Sequence, residues 1–429
     1  MAKTITSAPT KFKTPIWPFI LITSLFFMWG MANNLTDTLL AAFKKIKSMS
    51  DFQTSFIQMA FYGAYFCLAL PAAIFIKKFT YKSGVLLGLL FYIGGCLLFL
   101  PAGNAQSYAF FLVALYVLAS GCSILETAAN PYILAMGPES SATRRLNLAQ
   151  SFNPIGSIAG ILLSKVFILS KLNEAGEAER KLMSAEELRA IQTVEIDAVT
   201  MTYVGIGILL VGIWLLIAFT KMPKMSDEDT KINLLPTLKR IFKIPHYAWG
   251  VVAQFFYVGA QIGVWSYTIR YVMQELNLEE DTAADYYVYS LIAFTVSRFI
   301  ATGLMKFIKP GVLLTAAAFM AILSSLVVIF GSGLLAVYAL VSISAFMSLM
   351  FPTIYGIAMQ GLGKDSKIAG SGLIMAILGG AVLTAIQGLV STYMESIHLA
   401  FFVPLLCFAV VATYGLMSKK GEPLNKQVA

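Results

Sequence analysis

Two carboxylic acids, Asp37 and Glu126, lie inside apolar runs of this chain. Asp37 closes the stretch Phe26-Phe27-Met28-Trp29-Gly30-Met31-Ala32-Asn33-Asn34-Leu35-Thr36-Asp37, which also holds two amides and a hydroxyl. An ionisable group at the centre of a bilayer costs from about 2.5 kcal/mol to 10 or more, depending on the method. The usual return is a polar ligand or a proton; the plain alternative is a carboxyl near the water interface, satisfied by a neighbouring helix. The clustering of polar residues favours the first reading. Glu126 lies in Leu125-Glu126-Thr127-Ala128-Ala129-Asn130-Pro131. A carboxyl enclosed by apolar side chains favours its neutral form, so it can take a proton from one side and release it to the other. The plain alternative is a structural carboxyl bonded to backbone loosened by Pro131.

Amides form the next constellation. Asn147, Gln150 and Asn153 are spaced by three and share one helix face. Amides both donate and accept, which suits a ring of sugar hydroxyls. Gln261 and Trp265 are four apart, so an amide sits beside an indole, with Ser266, Tyr267 and Arg270 following. A sugar has an apolar C–H face and polar edges, and that pairing suits it. Hydrogen-bonded glue between helices is the alternative for any one amide. Arg270, near a span end, is expected to snorkel. Arg298 lies near the middle of its run and either meets Asp37 or Glu126 or faces an inner vestibule. His246 and His398 give no metal pattern. No GxxxxGK[ST] loop appears, so direct use of ATP is not expected. Apart from the two acids there is no nucleophile–base set; neither an enzyme nor a cofactor is expected.

These residues need elements that hold them at depth in a membrane. Of 429 residues, 58% are apolar and 12% charged, against about 25% charged in soluble domains. The runs are continuous and not alternating, which predicts an all-α integral membrane protein and excludes a β-barrel. The net charge of +9 does not indicate nucleic acid, because the charges sit between the runs. Cys67, Cys96, Cys122 and Cys407 fall inside runs and read as packing residues. The polar N-terminus carries no cleavage signal, so the first run is expected to be a retained span.

Twelve spans are predicted: Trp17–Phe43, Phe52–Ile76, Ser83–Pro101, Tyr108–Met136, Leu146–Ser170, Val199–Phe219, Tyr247–Gln274, Asp285–Phe307, Val312–Phe330, Leu334–Gln360, Ile368–Met394 and His398–Met417. Glu126 then lies ~6 Å inward of its span's midpoint and Asp37 ~10 Å outward of its own, a staggered pair that could relay a proton. With the N-terminus inside, about 21 Lys and Arg fall in inner segments and about 7 in outer loops, which predicts both termini cytoplasmic. Lys44, Lys45 and Lys47 are the exception. Residues 171–198 read as an external helical excursion. Residues 221–246 read as a hinge linker between an N-terminal bundle, 1–220, and a C-terminal bundle, 247–429. The halves repeat: Phe26-Phe27-x-x-Gly30 returns as Phe255-Phe256-x-x-Gly259, 229 positions later. A looser echo pairs Pro131 and Gly137-Pro138-Glu139-Ser140 with Pro352 and Gly363-Lys364-Asp365-Ser366. An even number of spans separates the echoes, so the repeat is parallel. Gly156, Gly160, Gly303, Gly370, Gly372, Gly379 and Gly380 are expected to be close-packing surfaces.

At these residues the sequence resembles the major facilitator superfamily, and within it the fucose–galactose–glucose:proton symporters. The matching strings are Trp29-Gly30 with Ala32-Asn33-Asn34-Leu35 and Asp37; Lys77-Lys78 with Tyr81-Lys82; Leu125 to Pro131; Gly137 to Ser141; Arg145 to Gln150 with Phe152-Asn153; Tyr257 to Gln261 with Trp265-Ser266-Tyr267; and Pro352-Thr353-Ile354. The superfamily's usual signature between spans two and three is degraded here to Pro71 through Lys78. The resemblance implies two pseudo-symmetric bundles of six helices, a central cavity and alternating access. It implies that Asp37 and Glu126 carry proton coupling and sugar binding, and that Asn33-Asn34 with Asp37 mark the fucose-like type. The expected substrate site is Asn33, Asn34, Asp37, Glu126, Asn130, Gln150, Asn153, Gln261, Trp265 and Tyr267. The expected protein is a monomeric, multi-pass symporter of the cell inner membrane whose partners are a monosaccharide, protons and membrane lipids. L-fucose leads as the sugar; glucose, galactose or mannose, sodium coupling, or a non-transporting sugar sensor are the alternatives.

Overall fold

A computed structural model of the chain describes residues 14–47, 51–173, 175, 177–180, 182–223 and 233–420; the side chains of 37, 40, 41, 44, 45, 51–55, 58, 177, 178, 419 and 420 lie outside that description. Among the described residues all regular structure is helical. The first four spans are α1 (Ile16–Ile46), α2 (Asp51–Lys78), α3 (Tyr81–Ala105) and α4 (Tyr108–Ala135). The fifth is broken into α5 (Ala142–Gln150) and α6 (Phe152–Leu163), and continues through a π-helical turn, Ser164–Ile168. After the short α7 (Glu177–Arg180), α8 (Ala185–Phe219) is the sixth span, and α9 (Leu234–Phe242) lies in the linker. The second set begins with α10 (Pro245–Leu276), α11 (Glu280–Leu304) and α12 (Pro310–Phe330). Its last three spans are each broken: α13 (Gly333–Met347) with α14 (Met350–Ala358), α15 (Ser366–Met375) with α16 (Gly379–Tyr393), and α17 (Ile397–Ala400) with α18 (Phe402–Lys420).

Among the described residues, eleven helices are long and apolar enough to cross a membrane. The expected seventh span folds as α10, but Gln254, Gln261, Arg270 and Gln274 dilute its apolar character. Helix starts follow local chemistry. Thr80 Oγ1 accepts from the Ser83 amide at 3.0 Å at the head of α3, and Ser184 with Glu187 forms a capping box on α8. Pro245 and Pro310 occupy first turns, where a missing N–H costs nothing.

The parallel repeat is visible in the packing. The Gly156 backbone on α6 meets the Phe27 backbone on α1 so closely that an added Cβ would collide with it. Gly379 meets the Phe255 backbone of α10 in the same way. Spans one and five thus cross as spans seven and eleven do. Gly303 departs from expectation: it faces open space and packs against nothing within 4 Å.

The helical excursion expected over 171–198 is α7 together with the first turns of α8, which begins well before Val199. Its core is a buried ion pair. Arg180 Nη1 donates to Glu195 Oε2 at 3.0 Å and Nη2 to Oε1 at 2.5 Å; Nε donates to the Ala175 carbonyl, and the Asn173 amide donates to the same carboxylate. The hydrogen bonds it donates to Glu195 hold the Arg180 pKa above its ordinary value. Gln192 Nε2 donates to the Ile46 carbonyl at 2.7 Å, which pins the excursion to the end of α1. Lys47, one of the three lysines at odds with the expected charge bias, is half-buried there, and loss of water lowers its pKa.

The linker is tied down at both ends. Lys82 Nζ donates to the Ala218 and Thr220 carbonyls, and Tyr132 O–H to the Pro223 carbonyl. At the other end Arg240 on α9 makes two hydrogen bonds to Asp365, at 2.7 and 2.6 Å.

The two sets of six touch on the side where both described chain ends emerge. There α2 and α4 pack on α15, and α5 packs on α14. Lys367 lies over the Tyr81 ring at 5.2 Å, Asn147 Nδ2 donates to Thr353 Oγ1 at 3.2 Å, and Phe152 meets Phe299 edge-on. This is hereafter the closed side.

Candidate functional site

Between the two sets, just beyond these contacts, lies a cavity of about 110 Å³. Its first-set wall is Phe26, Trp29 and Asn33 on α1, Phe61, Tyr62 and Tyr65 on α2, Glu126 on α4, and Gln150 and Asn153 of the fifth span. Its second-set wall is Val258, Gln261 and Ile262 on α10, Arg298 on α11, Phe351 on α14 and Ile377. Every buried polar group here requires a partner, and the pattern of partners shows what the cavity can do.

Glu126 is the acid of the site. Tyr65 O–H is 3.3 Å from its Oε1, and Trp29 Nε1 is 2.7 Å from the Tyr65 oxygen. An indole N–H can only donate. The tyrosine therefore accepts from Trp29 and offers its own hydrogen to Glu126. Ser123 Oγ donates to the Tyr65 carbonyl at 3.1 Å, which ties α2 to α4 at this level.

A chain of amides runs behind the acid. Asn130 Nδ2 donates to the Glu126 carbonyl at 3.1 Å, and Gln150 Nε2 donates to Asn130 Oδ1 at 2.8 Å. Asn130 is fully enclosed and stands behind Glu126 and Gln150, which line the cavity. Asn153 lines the wall and donates to the Phe26 carbonyl at 3.3 Å. Asn33 Oδ1 is a buried acceptor with no donor among the described residues. Such an oxygen on a cavity wall is a ready partner for a ligand hydroxyl.

Arg298 Nε donates to the Ser348 carbonyl and Nη1 to the Gln150 carbonyl, and its guanidinium lies 4.4 Å from the Phe294 ring centre. Among the described residues no hydrogen bond or ion pair joins it to Glu126. The cavity thus combines a carboxyl, amides, a guanidinium and aromatic rings, the equipment for a small polyhydroxylated ligand with a proton nearby.

Glu126, Gln150, Asn153, Gln261 and Asn33 come together as the sequence suggests. Other expected residues lie elsewhere. Asn34 turns toward α6, its Nδ2 3.4 Å from the Gly30 carbonyl. Trp265 sits outward on α10, donating to Ser344 Oγ at 3.2 Å against the Phe294 ring. Tyr267 carries Arg270 over its ring at 5.4 Å. Asn147 lies a turn inward of Gln150 and bridges the two sets through Thr353. The Asp37 side chain lies outside the described residues. Sequence reasoning missed Tyr65, and Trp29 had no role assigned to it.

Comparisons with known proteins bear on the family and the fold. The family model of the Major Facilitator Superfamily matches residues 19–386. The L-fucose-proton symporter of Haemophilus influenzae is 40% identical over 416 residues, 94% of this chain and 97% of that one. The L-fucose-proton symporter of Escherichia coli is 39% identical over 401 residues, 92% of each chain. A glucose/galactose transporter of Brucella abortus is 34% identical over 401 residues, 93% of each. Among solved structures, the transporter FucP in its outward conformation superposes with a TM-score of 0.88 at 38% identity, covering 95% of this chain and all of that one. A matching family model over most of the length, two sets of six spans around one cavity, and relatives of the same length lead to one conclusion: this chain belongs to the major facilitator superfamily.

Proposed function

We propose that this protein is a proton-coupled symporter that takes up a monosaccharide, with L-fucose the leading sugar, by alternating access. The observation that carries the reading is the cavity between the two sets, where buried Glu126, directed by Trp29 and Tyr65, shares one wall with Asn33, Gln150 and Asn153. The names of the 40% and 39% identical relatives supply the sugar and the ion. The halves divide as 1–220 and 247–429 about the linker 221–246. The lysine and arginine bias supports a cytoplasmic closed side with both termini cytoplasmic, in the cell inner membrane, in a chain that works as a monomer.

In the proposed cycle Asp37 and Glu126 take protons from outside. Protonation turns the Glu126 carboxyl from a pure acceptor into a group that can also donate. A sugar then finds donors and acceptors at Glu126, Asn33, Gln150, Asn153 and Gln261, while Phe26, Trp29 and Phe351 offer apolar faces to its C–H surface. Asn130 positions Gln150; Asn34, Trp265 and Tyr267 support the walls without meeting the ligand. Rocking of the halves opens the cytoplasmic side, and sugar and proton leave together.

The test is uptake of labelled L-fucose into proteoliposomes, with and without an inward proton gradient and without sodium. Gradient-driven accumulation is expected. Accumulation of glucose or galactose instead, as the name of the Brucella relative suggests, would change the sugar. Binding without uptake under any gradient would overturn transport. In the same assay Glu126→Gln is expected to uncouple uptake from pH; an unchanged pH dependence would remove Glu126 from the proton path. Asp37→Asn is expected to abolish active uptake, and full uptake would remove that acid.

A further inference from the structure

Arg298 is 3% exposed and lines the cavity from the second set. Its Nε lies 2.5 Å from the Ser348 carbonyl and its Nη1 2.9 Å from the Gln150 carbonyl. These two carbonyls share one property. In an unbroken helix each would accept from the amide four residues on. Four residues after Gln150 stands Pro154, and four after Ser348 stands Pro352. Proline has no N–H to give. Both carbonyls lie at helix breaks, between α5 and α6 and between α13 and α14. A buried carbonyl must find a donor, and a buried guanidinium must find acceptors. One arginine answers both breaks, and among the described residues no ion pair joins it to a carboxylate.

The two bonds differ in what they connect. Arg298 and Ser348 belong to the second set, whereas Gln150 belongs to the first. The closed side cannot open without parting the fifth span from the eighth and tenth, so the bond to Gln150 must break in each cycle. Broken without replacement, it leaves a cation one acceptor short and a carbonyl without a donor, both buried.

We propose that Arg298 is a substrate-sensing staple. It holds the closed side together while the cavity is empty. It releases the Gln150 carbonyl when hydroxyl oxygens of the bound sugar take over as acceptors. Arg298, Gln150 and Glu126 line the same cavity, so a sugar seated there lies within reach of the guanidinium. The exchange gives the sugar different contacts in the two states, which any ligand needs in order to shift an equilibrium. The inference rests on the transport reading above.

The experiment measures distances between spin labels at positions 139 and 364, one on each set at the closed side, in the purified full chain. Cys67, the exposed cysteine, is replaced by serine for labelling. The parent is expected to show one short distance without sugar and a second, longer one with L-fucose. Arg298→Gln is expected to populate the longer distance about ten-fold more than the parent without sugar, a shift of about 1.4 kcal/mol. Arg298→Lys should do the same, because an ammonium keeps the charge but loses the planar fork that bridges two carbonyls. Pro154→Ala provides an independent arm. It returns an amide to the Gln150 carbonyl, competes with Arg298 and should shift the sugar-free distances in the same direction. If the parent responds to sugar while Arg298→Gln and Pro154→Ala keep its sugar-free distances, the staple is overturned and transport stands. If the parent responds to none of L-fucose, D-galactose and D-glucose, sensing is overturned together with the sugar reading.

Discussion

At the scale of single residues, the site works by giving each polar atom one available role. Trp29 fixes the direction of the Tyr65 hydroxyl, and Tyr65 in turn addresses Glu126. Tyr65→Phe removes only an oxygen, so the fold should persist. The loss leaves the Trp29 N–H without its acceptor, at a cost of about 1–3 kcal/mol. It also frees Glu126 from its donor, so the expected result is a displaced pH dependence of uptake with near-normal protein yield, read from uptake against pH in proteoliposomes. An unchanged profile would make Tyr65 a packing residue. Glu126, Gln150 and Asn153 could be read from the sequence because polar side chains inside apolar runs are conspicuous. Tyr65 could not. A tyrosine in Phe61-Tyr62-Gly63-Ala64-Tyr65-Phe66 looks like any apolar aromatic, and only the approach of α1 and α4 gives its hydroxyl partners. Asn34 stands next to Asn33 in the sequence but about 100° round the helix, and there it packs against Gly160 of α6.

At the scale of elements, spans were legible and their breaks were not. Continuous apolar runs mark a helix that crosses a membrane, but Pro154 and Pro352 alone do not say whether a helix bends, kinks or parts. That depends on whether another element feeds the carbonyls they orphan. The start of α8 was misjudged because its outer turns are polar and held by tertiary contacts that the local sequence does not show. Arg180 and Glu195 form the centre of that region. Arg180→Ala would leave Glu195 enclosed without its cation, a cost of about 3 kcal/mol. A lower melting temperature and faster proteolysis between residues 171 and 184 are expected, with the sugar affinity of the remaining folded protein unchanged. Gly156→Leu should be more damaging, since its side chain would occupy the space of the Phe27 backbone. The measurement is the yield of monodisperse protein, expected to fall sharply, whereas Gly303→Leu, facing open space, should leave it intact.

At the scale of the whole molecule, two sets of helices meet along one side and enclose a cavity just beyond it. The helical spans and their parallel repeat were visible in the sequence, because both rest on continuous apolar runs. Which side is closed was not visible, because one sequence must serve both states of a carrier. The closed side rests on small contacts: Asn147 with Thr353, Lys367 over Tyr81, and Arg298 with Gln150. A reducible bis-thiol cross-linker joining Glu139→Cys and Lys364→Cys should hold that side shut. Uptake should then fall to background and return on reduction, while sugar still binds from the opposite side.

The anchoring of the linker has a mechanical consequence. Pro223 moves with the first six helices, through Tyr132, and α9 moves with the second six, through the Arg240–Asp365 pair. Each end of the linker therefore travels with the half that holds it, so the separation of Pro223 from α9 follows the rocking of the halves as the jaws of a caliper follow the width they span.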